Sequence, residues 1–203
     1  MNERLYIQYP EAENWHIHQN IWWEQMKDIV YFNDNEGLVV VGRNWNDGRI
    51  YKIDSLGNVL QRDSFNIEFN DIEIVKHQRT LISGYGTIWY SDDQGSTWNV
   101  SSAQGDHFVK LFHIGELVYA LGYQGSFMVS KDNGANWDKL RNGSITYRNK
   151  VLCNDMLFVD EQKGIIVGNG GLVMGTKDGG KKWTIYKQKN GYQFNAITLI
   201  GPN

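Results

Sequence analysis

Short apolar runs that end in glycine recur along the chain, and a second glycine follows each of them. The runs read VVVG, LISG, YALG and IIVG, and the second glycines are Gly48, Gly86, Gly125 and Gly171. β-Branched and aromatic residues favour extended backbone, and glycine suits the tight turns between strands. The pattern therefore predicts pairs of short β-strands joined by turns, repeated along the whole chain.

Three of these strand pairs lead into one polar pattern, Ser/Thr-x-Asp-x-Gly-x-x-Trp. The copies are SDDQGSTW at 91–98, SKDNGANW at 130–137 and TKDGGKKW at 176–183, and each aspartate lies seven residues after the second glycine. Such an aspartate accepts hydrogen bonds across a turn, the glycine supplies a positive φ, and the tryptophan buries a large ring against a neighbouring sheet. We assign a structural role to the motif residues, which are Ser91, Asp93, Gly95, Trp98, Ser130, Asp132, Gly134, Trp137, Thr176, Asp178, Gly180 and Trp183.

The motif tryptophans are 39 and 46 residues apart, which is the period of a propeller blade. The chain is predicted to be all-β, a single β-propeller domain over 1–203 with four-stranded antiparallel blades. The full blades are expected at about 26–65, 69–102, 107–144 and 147–190. In the first of them Ser55 and Leu60 stand where the motif has Asp and Trp, so this blade is predicted to be a degenerate copy.

The two ends of the chain are expected to meet in a fifth, composite blade. Residues 4–18 resemble the third and fourth strands of a blade, and FNAITLI at 194–200 resembles the inner strand FNDIEIV at 69–75. Closing the ring in this way would remove the open sheet edges that an unclosed array exposes. The alternative is a fragment of a larger propeller, because no second strand of that blade is evident.

The repeated motif is the Asp-box, or BNR, motif, and the chain resembles the Asp-box β-propellers. That family includes sialidases, sortilin-type receptors and photosystem II assembly factors, and GIIVGNGGLVMGTKDGGKKW at 164–183 is most similar to the assembly factors. The resemblance implies the fold and leaves the function open, because the architecture is shared by enzymes, receptors and assembly factors. The arginine patch and export signal of the assembly factors have no match here, so photosystem assembly is not implied.

The catalytic pattern of the sialidases does not transfer to this chain. Those enzymes combine three arginines, a tyrosine nucleophile with a glutamate partner and an acid/base aspartate, and they carry an Arg-Ile-Pro signature. The only Arg-Ile pair here is Arg49-Ile50, and Tyr51 follows it. We therefore predict a protein that is not an enzyme and name no catalytic residue; a glycoside hydrolase is the least favoured alternative.

The loops opposite the motif turns carry aromatic, amide and arginine side chains. In a propeller that face presents the connections between second and third strands, together with those that lead from one blade to the next. The candidate binding residues are Trp22, Trp23, Arg43, Asn44, Trp45, Asn46, Tyr123, Gln124 and Arg148. Such groups anchor a protein partner or stack on sugars. We expect a protein-interaction or assembly scaffold with its site around the first blade; the alternative is a carbohydrate-binding, lectin-like propeller.

Composition narrows the possible partners. The 203 residues carry a formal net charge of −3, so no overall basic field would attract nucleic acid. No cofactor or metal is expected, because Asp92-Asp93-x-Gly95 lacks the later glutamate of a calcium loop and His16 and His18 lack a third ligand. The single cysteine, Cys153, excludes an intrachain disulfide.

The start of the chain, MNERLYIQYP, lacks the apolar core of a secretory signal, and no apolar run reaches transmembrane length. No membrane insertion is expected, and the protein is predicted to be cytoplasmic or part of a phage particle, unless a signal has been removed from the chain. The sequence leaves the oligomeric state open.

Overall fold

The protein is built of antiparallel β-strands. The computed structural model describes residues 3–7, 16–21, 25–76, 79–143, 152–187 and 191–200. The strands within these residues are β1 (Glu3–Ile7), β2 (His16–Ile21), β3 (Met26–Tyr31), β4 (Glu36–Arg43), β5 (Asp47–Asp54), β6 (Val59–Phe65), β7 (Phe69–Ile74), β8 (Thr80–Ser91), β9 (Asn99–Ile114), β10 (Leu117–Gly122), β11 (Phe127–Ser130), β12 (Asp138–Arg141), β13 (Cys153–Phe158), β14 (Gly164–Gly168), β15 (Val173–Thr176) and β16 (Thr184–Lys187). The predicted all-β fold is confirmed.

Two sheets contain four strands in chain order, β3-β4-β5-β6 and β13-β14-β15-β16. We call such a unit a blade, and these two are the first and fourth blades. In the first blade β4 is buried from Gly37 to Gly42, with Leu38 packed against Phe69 and Ile72 of the next blade. A strand covered on both faces reads as a continuous apolar run. This explains why VVVG does not alternate with polar residues.

The second and third blades share one six-stranded sheet, β7 to β12, because β8 and β9 are long strands that each take two strand positions. The first half of β8 pairs with β7 and its second half with β9, so β8 supplies two strands of the second blade. β9 begins as the outer strand of that blade and continues as the inner strand of the third, where it pairs with β10. The chain bends within β8 at Gly86, whose φ is 85°.

The motif turns are closed by their own hydrogen bonds, as the turn of the third blade illustrates. Asp132 Oδ1 accepts the backbone N–H of Asn136 at 2.9 Å and the hydroxyl of Ser130 at 2.8 Å. The Ser130 Oγ accepts in turn the N–H of Gly134 at 2.8 Å. Each partner lies within four residues of the next, so this loop is specified by local sequence.

The other motif turns repeat the arrangement. At Asp93 and Asp178 the carboxylate accepts the N–H four residues further on, at 2.8 Å in both. The first blade has a tighter version, in which Asp54 Oδ1 accepts the N–H of Asn58 at 2.8 Å. The expectation that Ser55 replaces the carboxylate in this blade is therefore wrong, because the loop is shorter and its acceptor stands one residue earlier.

The glycine and tryptophan of each motif pack the turn against the preceding blade. Gly134 has a φ of 87°, and a Cβ there would stand 2.5 Å from Leu81 Cδ2. Trp137 is only 8% exposed, donates its Nε1–H to the Gly134 carbonyl at 2.8 Å, and clusters with Leu81, Ile88 and Phe108. In this structure the motif therefore joins neighbouring blades as well as closing its own loop.

Carboxylates on the inner strands also connect the blades. Asp28 Oδ2, on β3, accepts the N–H of Ile72 on β7 at 3.3 Å. Asp71 Oδ2, on β7, accepts the N–H of Leu111 on β9 at 2.8 Å. In two successive blades, therefore, an aspartate on the inner strand accepts a backbone N–H from the inner strand of the next blade.

Residues 194–197 receive the same bonds although they do not belong to a strand. Asp155 Oδ2, on β13, accepts the N–H of Ile197 at 2.8 Å, and Asn154 Nδ2 donates to the Phe194 carbonyl at 2.8 Å. Asn70 donates to the Phe108 carbonyl in the same way at 2.9 Å. The segment thus follows the course of a further inner strand beside the fourth blade.

The sheet expected to join the two chain ends is not formed among the described residues. β1 and β2 pair with each other in a separate two-stranded sheet, and 194–200 forms no strand. Residues 8–15, which belong to the predicted 4–18 segment, lie outside the described residues. The predicted strand at 194–200 is therefore corrected. Phe194 donates its N–H to the Gly168 carbonyl of β14 at 3.2 Å and Gln193 forms an isolated bridge with Asn169, but no ladder follows among the described residues.

Candidate functional site

The turn between β4 and β5 has a strained backbone. Asn44 and Trp45 have φ values of 56° and 66°, in the left-handed region. Asparagine visits this region readily, but a bulky side chain does so only when its surroundings enforce it, at a cost of about 1–3 kcal/mol. The Trp45 side chain is nevertheless 65% exposed, so packing of the indole does not account for the strain.

Glu68 enforces this conformation from the connection between the first and second blades. Its carboxylate Oε2 accepts the N–H of Trp45 at 2.8 Å, and its own N–H donates to the Trp45 carbonyl at 3.0 Å. The same carboxylate accepts a bond from Lys27 Nζ at 3.3 Å, and Glu68 as a whole is buried. A buried carboxylate therefore holds the backbone while the indole points to solvent.

Four rings form a row that starts at Trp45 and crosses the first three blades. Trp45 lies 6.3 Å from Tyr85 between ring centroids, Tyr85 lies 5.3 Å from His107, and His107 lies 5.6 Å from Tyr123. Tyr85 is 50% exposed, and His107 and Tyr123 are half-buried. We call Trp45, Tyr85, His107 and Tyr123 the aromatic row. It combines apolar area with polar ring atoms along one face.

A groove of about 820 Å³ lies beside the row, between the second and third blades. Tyr85 and His107 form part of its wall. The other polar side chains that line it are Gln104, Asp106, Gln124, Ser126, Lys139 and Asn142. Its volume falls in the range of small-molecule and peptide side-chain sites.

Two polar atoms at the groove lack a hydrogen-bond partner among the described residues, and both are buried. They are the Ser126 Oγ and the His107 Nε2. Burial lowers the pKa of His107 below its ordinary value, although the charges of Glu68 and Asp106 act to raise it. The ring is therefore neutral at pH 7, and Nε2 can act as donor or acceptor according to its tautomer. Unpartnered buried polar groups call for an explanation, and a bound ligand is one.

Gly122 brings Asp106 and Ser126 together. A Cβ at Gly122 would collide with both Asp106 Oδ2 and Ser126 Oγ, so these two oxygens lie side by side over the glycine. The other carboxylate oxygen, Asp106 Oδ1, accepts the N–H of His107 at 2.7 Å. The groove therefore presents a carboxylate oxygen and a hydroxyl side by side, and the His107 imidazole lines the same groove.

The residues predicted to bind differ in their exposure and surroundings. Asn44, Asn46 and Gln124 are exposed beside the row. Arg43 is partly buried and pairs with Asp47 Oδ2 at 3.2 Å, so it also braces the turn. Trp22, Trp23 and Arg148 lie outside the described residues. Sequence reasoning missed His107, Asp106 and Ser126.

One sequence signal could have revealed His107. It immediately precedes the inner strand of the third blade at Phe108, as Glu68 precedes Phe69 in the second. The backbone contacts match as well, because Glu68 O accepts the N–H of Tyr85 at 2.9 Å and His107 O accepts the N–H of Tyr123 at 2.7 Å. Alignment of the inner strands would have placed the imidazole next to the aromatic side chains.

The motif turns lie at the opposite ends of the same strands. Hydrogen bonds from Thr97 and Ser91 hold the pKa of Asp93 below its ordinary value. The hydrogen bond from the Lys182 N–H is the main cause that lowers the pKa of Asp178. Within the described ranges, no group of three His, Cys, Asp or Glu side chains could hold a metal ion. The same residues contain no helix long and apolar enough to cross a membrane.

No protein-family model matches the chain, and no curated protein matches it in sequence. Solved structures do. YCF48 from Cyanidioschyzon merolae is 16% identical with a TM-score of 0.62, covering 87% of this chain and 60% of its own. A structure of YCF48 bound to D1 peptide is 11% identical with a TM-score of 0.57, covering 86% of this chain and 58% of the other. The fold is that of a β-propeller.

Other propellers of different function match as well. BamB from Moraxella catarrhalis is 15% identical with a TM-score of 0.56, covering 86% of this chain and 53% of its own. The GH74 enzyme of Niastella koreensis is 16% identical with a TM-score of 0.51, covering 80% of this chain and 24% of its own. The chain spans 60% or less of the length of each of these relatives. At such identities the likeness concerns the fold alone.

Proposed function

We propose that this protein is a non-catalytic propeller of the Asp-box type that binds a protein partner through the face that carries the aromatic row. The observation that carries the proposal is the presentation of Trp45. Its backbone is held in a strained conformation by the buried Glu68, while its ring stays 65% exposed. Strain of this kind concentrates at binding sites, because only the surrounding structure maintains it.

The aromatic row supplies the kind of surface that protein interfaces use. Tryptophan and tyrosine dominate the residues that contribute most to interface energy, because they combine large apolar area with a polar atom. Trp45 and Tyr85 lie 6.3 Å apart and are both exposed, so they can be covered together. The D1-peptide complex of YCF48 is a precedent for a peptide bound by this fold.

A glycan is the second candidate, and the groove favours it. Tyr85 offers a ring on which a sugar could stack, and Gln104, Gln124 and Asn142 offer amides for its hydroxyls. The sites would differ from blade to blade, because β4 and β5 stay paired beyond Gly42, as far as Arg43 and Asp47, whereas the pairing of β10 with β11 ends at Leu121 and Phe127. This asymmetry favours one extended partner over several equivalent sugar sites.

The geometry offers little for glycoside hydrolysis. That reaction uses a pair of carboxyl groups about 5–10 Å apart, one as acid and one as base or nucleophile. Asp106 is the only carboxylate among the described residues that line the groove. We therefore propose binding without catalysis.

The test compares capture of partners by two double variants. The immobilised protein is incubated with extract of the source organism, and bound proteins are quantified by mass spectrometry. Trp45→Ala with Tyr85→Ala should reduce capture of the specific partner about 30-fold or more, as loss of an interface anchor does. The matched control replaces Ile185 and Tyr186, which are also exposed, on the outer strand of the fourth blade.

Both variants should keep the melting temperature of the parent, because the replaced side chains are exposed. A glycan array probed with the same proteins supplies the second arm. Specific glycan binding that is lost with Trp45 and Tyr85, with no protein captured, would replace the protein partner by a sugar. Equal capture by both double variants would exclude the aromatic row as the binding site.

A further inference from the structure

The groove beside the aromatic row contains polar groups that the protein itself leaves unsatisfied. Ser126 is 4% exposed, and its Oγ has no partner among the described residues. The His107 Nε2 is in the same condition, and none of the described residues donates a hydrogen bond to Asp106 Oδ2. A buried polar group without a partner costs about 1–3 kcal/mol, which a bound ligand can recover.

The free groups are mainly acceptors. Asp106 Oδ2 is a carboxylate oxygen, the neutral His107 offers a ring nitrogen, and the Ser126 hydroxyl can accept as well as donate. Asp106 and Ser126 meet over Gly122 at one end of the groove, and His107 lines the same groove. A ligand for this end should therefore carry several N–H donors and a positive charge.

The rings around His107 specify the shape of that ligand. The ring centroids of Tyr85 and Tyr123 lie 5.3 Å and 5.6 Å from that of the imidazole, and Tyr85 lines the groove with His107. A planar cation stacks on such rings while its edge donates hydrogen bonds. A lysine ammonium has only three donors in a tetrahedral arrangement and no plane to stack.

We propose that the groove binds the guanidinium of an arginine side chain of the partner protein, with Asp106 as its counter-charge and Ser126 and His107 as further acceptors. The protein nature of the partner rests on the proposed function. The guanidinium edge faces Asp106 and Ser126, and its plane lies against the rings of the aromatic row. The arginine then enters beside Trp45 and Tyr85, so one extended segment covers both sites.

The charge of Lys139 does not prevent this. Lys139 lies on the outer strand β12 and is exposed, so water and salt screen its ammonium. Ser126 and Asp106 belong to the inner end of the groove, where screening is weaker. An anionic ligand would meet the Asp106 carboxylate, and Lys139 is the only cation among the described residues that line the groove.

The experiment uses two peptides that differ in one atom group. Acetyl-Ala-Arg-Ala-amide is compared with the same peptide carrying citrulline, which keeps the length and planarity of arginine but has no charge. Binding to the ¹⁵N-labelled full-length protein is followed by NMR titration. The arginine peptide should shift the signals of His107 and Gln124, and it should bind at least tenfold more tightly than the citrulline peptide.

Two substitutions in the groove and one control outside it locate the effect. Asp106→Asn keeps an oxygen for the His107 N–H and should abolish the preference for arginine over citrulline. Asp138→Asn makes the same charge change at an exposed carboxylate on β12 and should leave the preference intact. Ser126→Ala removes a hydroxyl that has no partner among the described residues, so it should weaken arginine binding several-fold without lowering the melting temperature.

The outcomes separate this inference from the proposed function. Equal binding of the two peptides, or a preference for arginine that survives Asp106→Asn, overturns the guanidinium site even if Trp45 and Tyr85 are needed for partner capture. A preference that depends on Asp106 supports the site even if capture proves independent of Trp45. If a maltooligosaccharide shifts the groove signals in the same titration and neither peptide does, the groove is a sugar site and the proposal is overturned.

Discussion

Strand β5 and its equivalents carry a turn at each end, and the two turns are built differently. At the end of the third strand, Asp132 and Ser130 find their hydrogen-bond partners within four residues. At the beginning of β5, Trp45 depends on Glu68, which is 23 residues away. One face of the propeller is specified locally, whereas the other is assembled from separate blades.

The comparison also concerns unused bonding capacity. The turn at Asp132 directs its carboxylate and hydroxyl into its own backbone, and Trp137 Nε1–H bonds the Gly134 carbonyl. On the opposite face the Ser126 Oγ and the His107 Nε2 remain without partners among the described residues. The hydroxyls and carboxylates of the motif turns are satisfied within their own loops, although the Trp98 Nε1 is buried without a partner among the described residues. Side chains that leave donors and acceptors open at a groove are suited to binding.

The largest effect on stability is expected for Trp137→Ala. The indole is 8% exposed and fills the space between the second and third blades with Leu81, Ile88 and Phe108. Removing a buried ring of this size costs about 3–5 kcal/mol through lost burial and the cavity left behind. Urea denaturation measures the free energy of unfolding. A loss below about 1 kcal/mol would show that the motif tryptophan does not hold the blades together.

The next largest difference in stability is expected between alanine substitutions at Gly134 and at Gly105. Gly134→Ala places a Cβ 2.5 Å from Leu81 Cδ2, which is fully buried, and adds the strain of a φ of 87°. We expect a loss of about 2–4 kcal/mol. Gly105→Ala, at a φ of 98° with nothing within 4 Å of the new Cβ, should lose only about 1 kcal/mol. Equal losses in thermal or urea unfolding would mean that backbone strain alone decides both sites.

The difference between the faces also explains what the sequence predicts and what it hides. The motif turns and four-stranded sheets could be predicted because their patterns are short and their partners adjacent. Asp106 and Ser126 looked ordinary because β9 must first cross from the second blade to the third before they meet over Gly122. The aromatic composition did indicate Trp45, but it gave no sign of Glu68.

The chain ends show a further limit of local pattern. FNAITLI was predicted to form a strand because it resembles FNDIEIV, and Asp155 does bond Ile197 as Asp71 bonds Leu111. A segment whose sequence resembles an inner strand is therefore predicted correctly to contact the previous blade. It cannot supply the second strand that would turn 194–200 into part of a sheet.

A smaller loss of stability is expected for Asp132→Ala, and it depends on pH. Partial burial acts to raise the pKa of Asp132, but bonds from Asn136 and Ser130 outweigh it and hold the pKa below its ordinary value. Lost hydrogen bonds should cost about 1–2 kcal/mol at neutral pH. Since the folded pKa is depressed, this stabilisation is complete above the unfolded pKa and disappears as pH falls through the folded pKa.

The measurement is urea denaturation of parent and variant between neutral pH and about pH 2. The two free energies of unfolding should differ most above about pH 5 and converge in acid, where the parent also binds the proton. Asp34→Ala removes an exposed carboxylate between β3 and β4 and serves as the control for net charge. A difference that stays constant down to acid would mean that the Asp132 charge contributes nothing.

The smallest effect on stability is expected for Trp45→Ala, the counterpart of Trp137→Ala on the opposite face. The chemical change is the same, but this indole is 65% exposed, and the backbone bonds to Glu68 do not involve it. The free energy of unfolding should change by less than about 0.5 kcal/mol, as at other exposed sites. Affinity for the captured partner should fall by about 2–4 kcal/mol, because an exposed anchor contributes only when it is covered.

Arg43 is kept in this variant because its ion pair with Asp47 braces the turn, so its loss would mix the two effects. The pair of tryptophan variants then decides whether the faces differ as proposed. Trp137→Ala should lower stability and leave the binding of the folded fraction unchanged, whereas Trp45→Ala should do the reverse. If Trp45→Ala melts well below the parent and its folded fraction binds normally, Trp45 is a packing residue. The binding site must then be sought around Tyr123 and Gln124, on the far side of the groove from the first blade.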